Sequence, residues 1–217
     1  MTQQETLFAQ LPPDTLAFEM LAHTQGFRTI AGVDEVGRGP LAGPVMAAAV
    51  ILPKGLHIPG IDDSKKLSPH KREILFEVIT AKALSIGIGV VEPEVIDSIN
   101  ILQATRLAML NAVEKLDPQP DYLLIDGITP INSGIKQKTV KKGDSLSLSI
   151  AAASIIAKVT RDRLMTEMDR LYPGYGFAGH KGYGSVLHME AIRQLGPSPI
   201  HRMTFGGVKE HVACHSF

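Results

Sequence analysis

The sequence predicts an α/β protein with five strands, flanking helices and a helical C-terminal region. Two observations carry that class. Short apolar runs of strand length alternate with long stretches of helical character. One of the runs, Leu123-Leu124-Ile125, ends in Asp126-Gly127, the pattern of a buried parallel strand that delivers a carboxylate to the C-terminal edge of its sheet.

The elements follow in order. A helical segment from about Thr2 to Thr24 has irregular apolar spacing at Leu7, Leu11, Leu16, Phe18 and Leu21. Strands are expected over Thr29 to Glu35, Pro44 to Leu52 and Leu84 to Val91. The last two bracket a helix that opens with Ser68 as N-cap and Pro69 at its first position, with Ile74, Leu75, Val78 and Ile79 as one apolar stripe. A second helix is expected from Pro93 to Leu116, then the strand ending at Ile125, a short strand over Lys138 to Val140, and a long helix from about Ser145 to Leu171. The small residues Ala151-Ala152-Ala153 suit close packing of that helix on the sheet. The remainder, including Gly182 to Leu195, reads as helical. No repeats or low-complexity segments interrupt the chain.

Composition narrows the class. At 217 residues and 44% hydrophobic, the chain can bury a substantial core. One domain over residues 1–217 is expected, with sheet and core helices over about 28–171 and a helical region and tail over about 172–217. The single cysteine, Cys214, excludes an intramolecular disulfide and fits a reducing compartment, so a cytoplasmic location is expected. The start lacks the basic and apolar regions of a secretory signal, and the longest apolar run, Val45 to Leu52, is too short to cross a bilayer. Net charge is zero, but it is divided: 10 Lys+Arg against 16 Asp+Glu through Pro130, and 12 against 6 from Ile131 onward. The second half can present the electropositive face that a phosphate backbone requires.

The chemistry is signalled by acids at the ends of elements. Asp34 and Glu35 close the apolar strand Ala31-Gly32-Val33 and precede Gly37-Arg38-Gly39. Successive strand residues point to opposite faces, so these two converge on one ion only where the strand ends or bulges. Asp126 ends a second strand, and Asp144 follows in Lys141-Lys142-Gly143-Asp144-Ser145, where N-capping of the next helix is the bland alternative. Four carboxylates without a Cys/His cluster select hard cations such as Mg²⁺ or Mn²⁺. Two such ions about 3.5–4 Å apart can activate water and stabilise a leaving oxygen in phosphodiester hydrolysis. Asp34, Glu35, Asp126 and Asp144 are the expected ligands, with Asp34 as the bridge.

Five blocks in order, Gly32-Val33-Asp34-Glu35-Val36-Gly37-Arg38-Gly39, Asp63-Ser64-Lys65-Lys66-Leu67-Ser68, Ile125-Asp126-Gly127, Gly143-Asp144-Ser145 with Ser149 to Lys158, and His180-Lys181-Gly182-Tyr183-Gly184, resemble the motifs of ribonuclease HII from about Gly32 to Phe205. The sister family, ribonuclease HIII, typically replaces the arginine of the Gly-Arg-Gly motif and adds an N-terminal domain. Here Arg38 is present, and the segment before the first strand is too short for that domain. Ser185 stands where the family often has Thr, which keeps the hydroxyl. The resemblance implies a ribonuclease H-like mixed five-stranded sheet. It also implies a monomeric endoribonuclease, dependent on Mn²⁺ or Mg²⁺, that cuts the RNA strand of RNA·DNA hybrids and incises 5′ of ribonucleotides in duplex DNA. It further implies that the Gly37-Arg38-Gly39 backbone reads the 2′-hydroxyl and that Tyr183 packs on the following sugar; the alternative for Tyr183 is a half-buried core aromatic. Ser64, Lys65 and Lys66 are expected at substrate phosphates, against the alternative of a solvated loop.

Two other classes compete: a junction-resolvase-like DNA nuclease, which would cut all-DNA duplexes equally, and a silent hybrid-binding module, which would bind without turnover. His211, Cys214 and His215 have metal-like spacing but make only three candidate ligands in a terminal tail, so no zinc site is expected. Phe217 is not set in a recognisable motif for binding a replication clamp.

Overall fold

The computed structural model describes residues 15–212. Its elements run α1 (Ala17–Thr24), β1 (Ile30–Val36), β2 (Val45–Ile51), α2 (Pro69–Lys82), β3 (Ser85–Val91), α3 (Pro93–Glu114), β4 (Tyr122–Asp126), β5 (Lys136–Val140), a 3₁₀ turn (Gly143–Ser145), α4 (Leu148–Leu171), the short α5 (Phe177–His180), α6 (Val186–Leu195) and a last 3₁₀ turn (Lys209–His211). The strands form one sheet in the order β3-β2-β1-β4-β5. β1 pairs antiparallel with β2 and parallel with β4, so the sheet is mixed, as expected.

β2 is buried at all seven positions and β1 at its first five, because helices cover both faces of the sheet centre. On one face Ala31, Val33, Ala47 and Ala49 pack with Ala104, Ala108 and Ala112 of α3. On the other, Ala48 and Val50 pack with Ala152, Ala153 and Ile156 of α4 and with Leu75 and Ile79 of α2. α4 lies directly on β1: a Cβ at Gly32 would stand 2.1 Å from the carbonyl carbon of Ser149, so only glycine admits the helix there.

Several boundaries differ from the sequence reading, each for a local reason. The Thr2–Thr24 helix is described only from Ala17; residues 2–14 lie outside the described part, as do Cys214, His215 and Phe217. In α2, Ser68 caps Lys71 N–H as expected, but Ile74 is 51% exposed and the buried stripe reduces to Leu75 and Ile79. α3 breaks at Asn100 (φ 67°), whose side-chain oxygen accepts from Leu102 and Gln103 N–H and so caps a restarted helix. β5 begins two residues earlier than expected, at Lys136, because its alternating exposed lysines mask an edge strand. Residues 182–185 are a loop, and helix resumes at Val186 behind the N-cap Ser185.

Candidate active site

β1 and β4 end side by side, and their acids meet there. One carboxylate oxygen from each of Asp34, Glu35 and Asp126 lies within 4.8 Å of the other two. No bulge is needed: β1 keeps its register with β2 through Asp34↔Ala48, Glu35↔Ala47 and Val36↔Met46. Its pairing with β4 stops at Val33↔Ile125, however, and the open edge beyond lets acids from opposite faces of the strand approach Asp126. Of the two expected routes, a strand end or a bulge, the first is the one found, as the end of the β1–β4 ladder.

The electrostatics are those of crowded, desolvated anions. Asp34 is 5% exposed; burial, then Glu35 and Asp126, pushes its carboxyl well above the usual range, against hydrogen bonds from the Ser154 hydroxyl and from Glu35 N–H at 2.8 Å. Burial also raises Glu35, with Asp126 adding to it and the Arg38 guanidinium, 3.5 Å away, opposing. Asp126 accepts a 2.6 Å hydrogen bond from Gly143 N–H, which ties β4 to the turn that carries Asp144. Asp144 lies beside the three-acid group rather than within it. Burial, Asp126 and Asp63 raise its pKa, while Lys65 Nζ, 3.8 Å away, opposes them. It does not cap α4, because the cap is Ser147, whose hydroxyl accepts from Ile150 N–H. The Asp144 carboxylate is therefore left to the cleft of about 510 Å³ that it lines with Asp126, Lys65, Lys66 and Lys142.

The basic motif divides on inspection. Burial pulls the Lys65 ammonium down, but Asp34, Asp144 and Asp63 more than offset it, so its pKa is raised. Lys66 bonds Asp62 at 3.0 Å and the Ser145 hydroxyl at 3.1 Å. Ser64 is the inward-facing member of the motif. It is buried, and its hydroxyl is spent on Ser154 at 2.9 Å, behind Asp34, so it supports the Ser154–Asp34 contact from the protein side.

Gly37-Arg38-Gly39 and Tyr183 come together. A Cβ on Gly39 would stand 3.6 Å from Tyr183 Cε1, and Tyr183 is 46% exposed, so part of its ring is open to solvent. Gly37 has φ 88°, and a side chain there would also collide with Arg161. Behind this loop lie two buried arginines that the sequence did not disclose. Arg202 donates to the carbonyls of Gly37, Arg38 and Gly43, and Arg161 to those of Ala42, Pro44 and Lys181. Burial lowers Arg161 to about 10; burial and then the Arg161 charge lower Arg202 to about 9, so both stay protonated at neutral pH. In a trans peptide the N–H points opposite to the C=O. With the Gly37 and Arg38 carbonyls turned inward to Arg202, the N–H groups of Arg38 and Gly39 face outward, and neither has a protein acceptor among the described residues. An Asp/Lys/Gly spacing signals none of these arginine contacts, whose partners are backbone atoms far away in the chain.

A mixed sheet of this order, with acids gathered at the ends of adjacent parallel strands, defines a divalent-metal-dependent nuclease of the ribonuclease H fold. Solved structures bear out the fold. A ribonuclease H2 from Pyrococcus horikoshii aligns with TM-score 0.70 and 28% identity over 84% of this chain and 96% of its own. The ribonuclease HII of Archaeoglobus fulgidus, solved in complex with PCNA, aligns with TM-score 0.71 and 26% identity over 82% and 96%. The family model for ribonuclease HII matches residues 31–208. Ribonuclease HII of Pelobacter propionicus is 66% identical over 99% of this chain and 98% of its own, and that of Geobacter sulfurreducens 65% identical over 95% and 96%. The chain belongs to the ribonuclease HII family, and is a ribonuclease H acting on RNA·DNA hybrids. No helix among the described residues is long and apolar enough to cross a membrane.

Proposed function

We propose that this enzyme, besides cutting the RNA strand of hybrids, incises duplex DNA once on the 5′ side of an embedded ribonucleotide, leaving a 3′-hydroxyl and a 5′-phosphate. The nearness of the Tyr183 ring to Gly39, where a Cβ would stand 3.6 Å from it, carries this reading, because it supports a hydroxyl reader and an apolar sugar platform acting together on one substrate. The all-oxygen, desolvated donor set fits hard divalent ions, with Asp34, Glu35, Asp126 and Asp144 as the residues that would hold two Mn²⁺ or Mg²⁺. A related ribonuclease HIII has been solved with Mn²⁺. When bound, such ions supply an activated water and neutralise the leaving oxygen.

The chain's own residues do the selecting. The outward N–H groups of Arg38 and Gly39 donate to the ribose 2′-hydroxyl, the group that separates RNA from DNA. The cut lies on the 5′ side of that ribose, where the departing 3′-oxygen belongs to a deoxynucleotide with no 2′-hydroxyl, so water is the nucleophile and no cyclic phosphate forms. The Tyr183 ring covers the next sugar, while Lys65 and Lys66 lie at the cleft edge within reach of phosphates. Action as a cytoplasmic monomer belongs to the same reading, supported by the lone cysteine.

The test is cleavage mapping on a duplex with one ribonucleotide. One nick 5′ of it is expected, and replacement of that nucleotide by its deoxy counterpart should suppress cutting at least about a hundredfold, because it leaves polar groups of the site unpaired. Comparable cutting of all-DNA duplex, or a 2′,3′-cyclic product, overturns the reading.

A further inference from the structure

The loop that carries Tyr183 is hydrogen-bonded into a buried cluster of histidines, and the direction of each bond is fixed from one end. Ser198 N–H, which can only donate, lies 2.9 Å from Nδ1 of His201, closer than the Ser198 carbonyl at 3.3 Å, and the Ser198 hydroxyl at 2.8 Å can donate to the same nitrogen. Nδ1 therefore accepts and the His201 proton sits on Nε2, the arrangement that the Tyr183 carbonyl, which can only accept from His188, also requires. His201 Nε2 is 3.0 Å from His188 Nε2, which must then accept. The His188 proton is left on Nδ1, 2.9 Å from the Tyr183 carbonyl oxygen. His180 is settled in the same way: its Nδ1 accepts from Gly182 N–H at 3.2 Å, and its Nε2 donates to the Tyr175 carbonyl at 2.8 Å. The His180 ring stacks on His188 with centroids 4.3 Å apart.

Both chain members are buried, His188 at 0% and His201 at 1% exposure. Burial pushes His188 below its usual range and His201 down to about 4, so each carries the single proton that the geometry requires. His201 also adjoins Arg202, which grips the carbonyls of Gly37 and Arg38. One dipeptide thus holds both halves of the substrate reader: Arg202 the hydroxyl-reading loop, and His201, through His188, the tyrosine loop.

We propose that the Ser198–His201–His188 chain sets the Tyr183 ring over Gly39, and that His188 is a positioning residue for recognition of an isolated ribonucleotide although it touches no substrate. This rests on the role of Tyr183 given above. A buried directional chain suits that task, because a bond whose donor and acceptor are both prescribed admits one arrangement of the loop, whereas apolar packing admits several.

Two variants of equal polarity separate position from packing. His188→Asn places an amide N–H where Nδ1 was and can still donate to the Tyr183 carbonyl; His188→Gln places its amide at the Nε2 position and cannot. The readout is the ratio of kcat/KM on a single-ribonucleotide duplex to that on a long RNA tract. The Gln variant should lower this ratio about fivefold, the worth of one net hydrogen bond, and the Asn variant should keep it. In a Tyr183→Ala background the Gln change should add nothing. From the other end of the chain, His201→Gln keeps a donor toward His188 Nε2, so the proton stays on Nδ1 and the ratio should hold, while His201→Asn frees Nε2 to take that proton from the Tyr183 bond and should lower it, a choice the amide of His188→Asn does not have. This decides the matter even where position 188 tolerates neither change. Equal ratios for the Asn and Gln variants, with Tyr183→Ala still altering selectivity, overturn the positioning role and leave the tyrosine reading intact. A Tyr183→Ala variant with unchanged selectivity overturns both.

Discussion

Asp34→Asn removes one charge from the acid cluster and preserves its shape, so it should stabilise the metal-free protein while abolishing its chemistry. At the 4.8 Å limit of the cluster, two like charges repel by about 3.5 kcal/mol at an effective dielectric of about 20. Partial protonation relieves some of this, which leaves an expected gain of about 1–3 kcal/mol, or about 2–10 °C in Tm for a chain of this size. The pH dependence has a definite sign. Asp34 has its folded pKa raised, so the folded state binds its proton more tightly than the unfolded state, and its ionisation costs stability as pH rises through the folded value. The advantage of the variant should therefore be largest above that raised pKa and shrink as pH falls toward 3.8, the ordinary value. Metal reverses the ranking: at about 100 times Kd the wild type gains about 2.7 kcal/mol from binding, and the variant, lacking a ligand, gains less. The assay is thermal denaturation across pH in EDTA and again with Mn²⁺, beside single-turnover cleavage, which should fall at least about a hundredfold. Hybrid binding should be largely retained. A variant that melts below the wild type in EDTA, or cleaves at a near-wild-type rate, refutes the argument.

Tyr183→Ala should reduce incision at an isolated ribonucleotide more than cleavage within an RNA tract, and Tyr183→Phe should keep most activity if the ring face is what matters; equal losses on both substrates count against the junction role. Gly32→Ala forces backbone against backbone at 2.1 Å, which no rotamer relieves, so it should cost about 3 kcal/mol or more in urea unfolding and displace Ser154 from Asp34. A change within about 0.5 kcal/mol would show that α4 can retreat freely. Arg202→Leu leaves three inward carbonyls without their donor and should cost about 3 kcal/mol or more. Arg202→Lys should restore little of this, because a point charge cannot reproduce the fork; melting like the wild type would dispose of that argument.

The parts of the fold that could be read from sequence are those whose surroundings are uniform. β1, β2 and β4 are buried on both faces and appear as continuous apolar runs, so their ends were found within a residue or two. β5 is an edge strand with lysines at Lys136 and Lys138, and its first two residues carry no apolar signal. The start of α4 was ambiguous because Asp144, Ser145 and Ser147 are all good caps; only the tertiary tie from Gly143 to Asp126 assigns Asp144 to the cleft and leaves Ser147 to the helix. The break at Asn100 left no trace, since a capping residue inside an apolar stretch looks like a tolerated helical one.

The same division runs through the site and follows from what the chemistry asks of the chain. Reading a 2′-hydroxyl beside the phosphate being cut requires the amides and the acids to lie within about a nucleotide of each other. In the function proposed above, two residues of backbone from Glu35 to Gly37 would accomplish that, and the carboxylates and the Gly37-Arg38-Gly39 loop do form one contiguous motif, visible in the sequence. The tyrosine belongs to a segment on the far side of the sheet connections, and nothing local can fix its distance from Gly39. That distance depends on tertiary contacts rigid enough to act as covalent spacing does, and the structure supplies them as charged and polar side chains taken out of water: Arg161, Arg202, His188 and His201. Arginine reads as surface in a sequence, and histidine as neither surface nor core. Each spends its donors chiefly on backbone carbonyls or on a neighbouring ring, partners that have no residue signature. The cost of burying them, expressed in lowered pKa values, is what a long-range spacer requires where a short-range one needs only glycine.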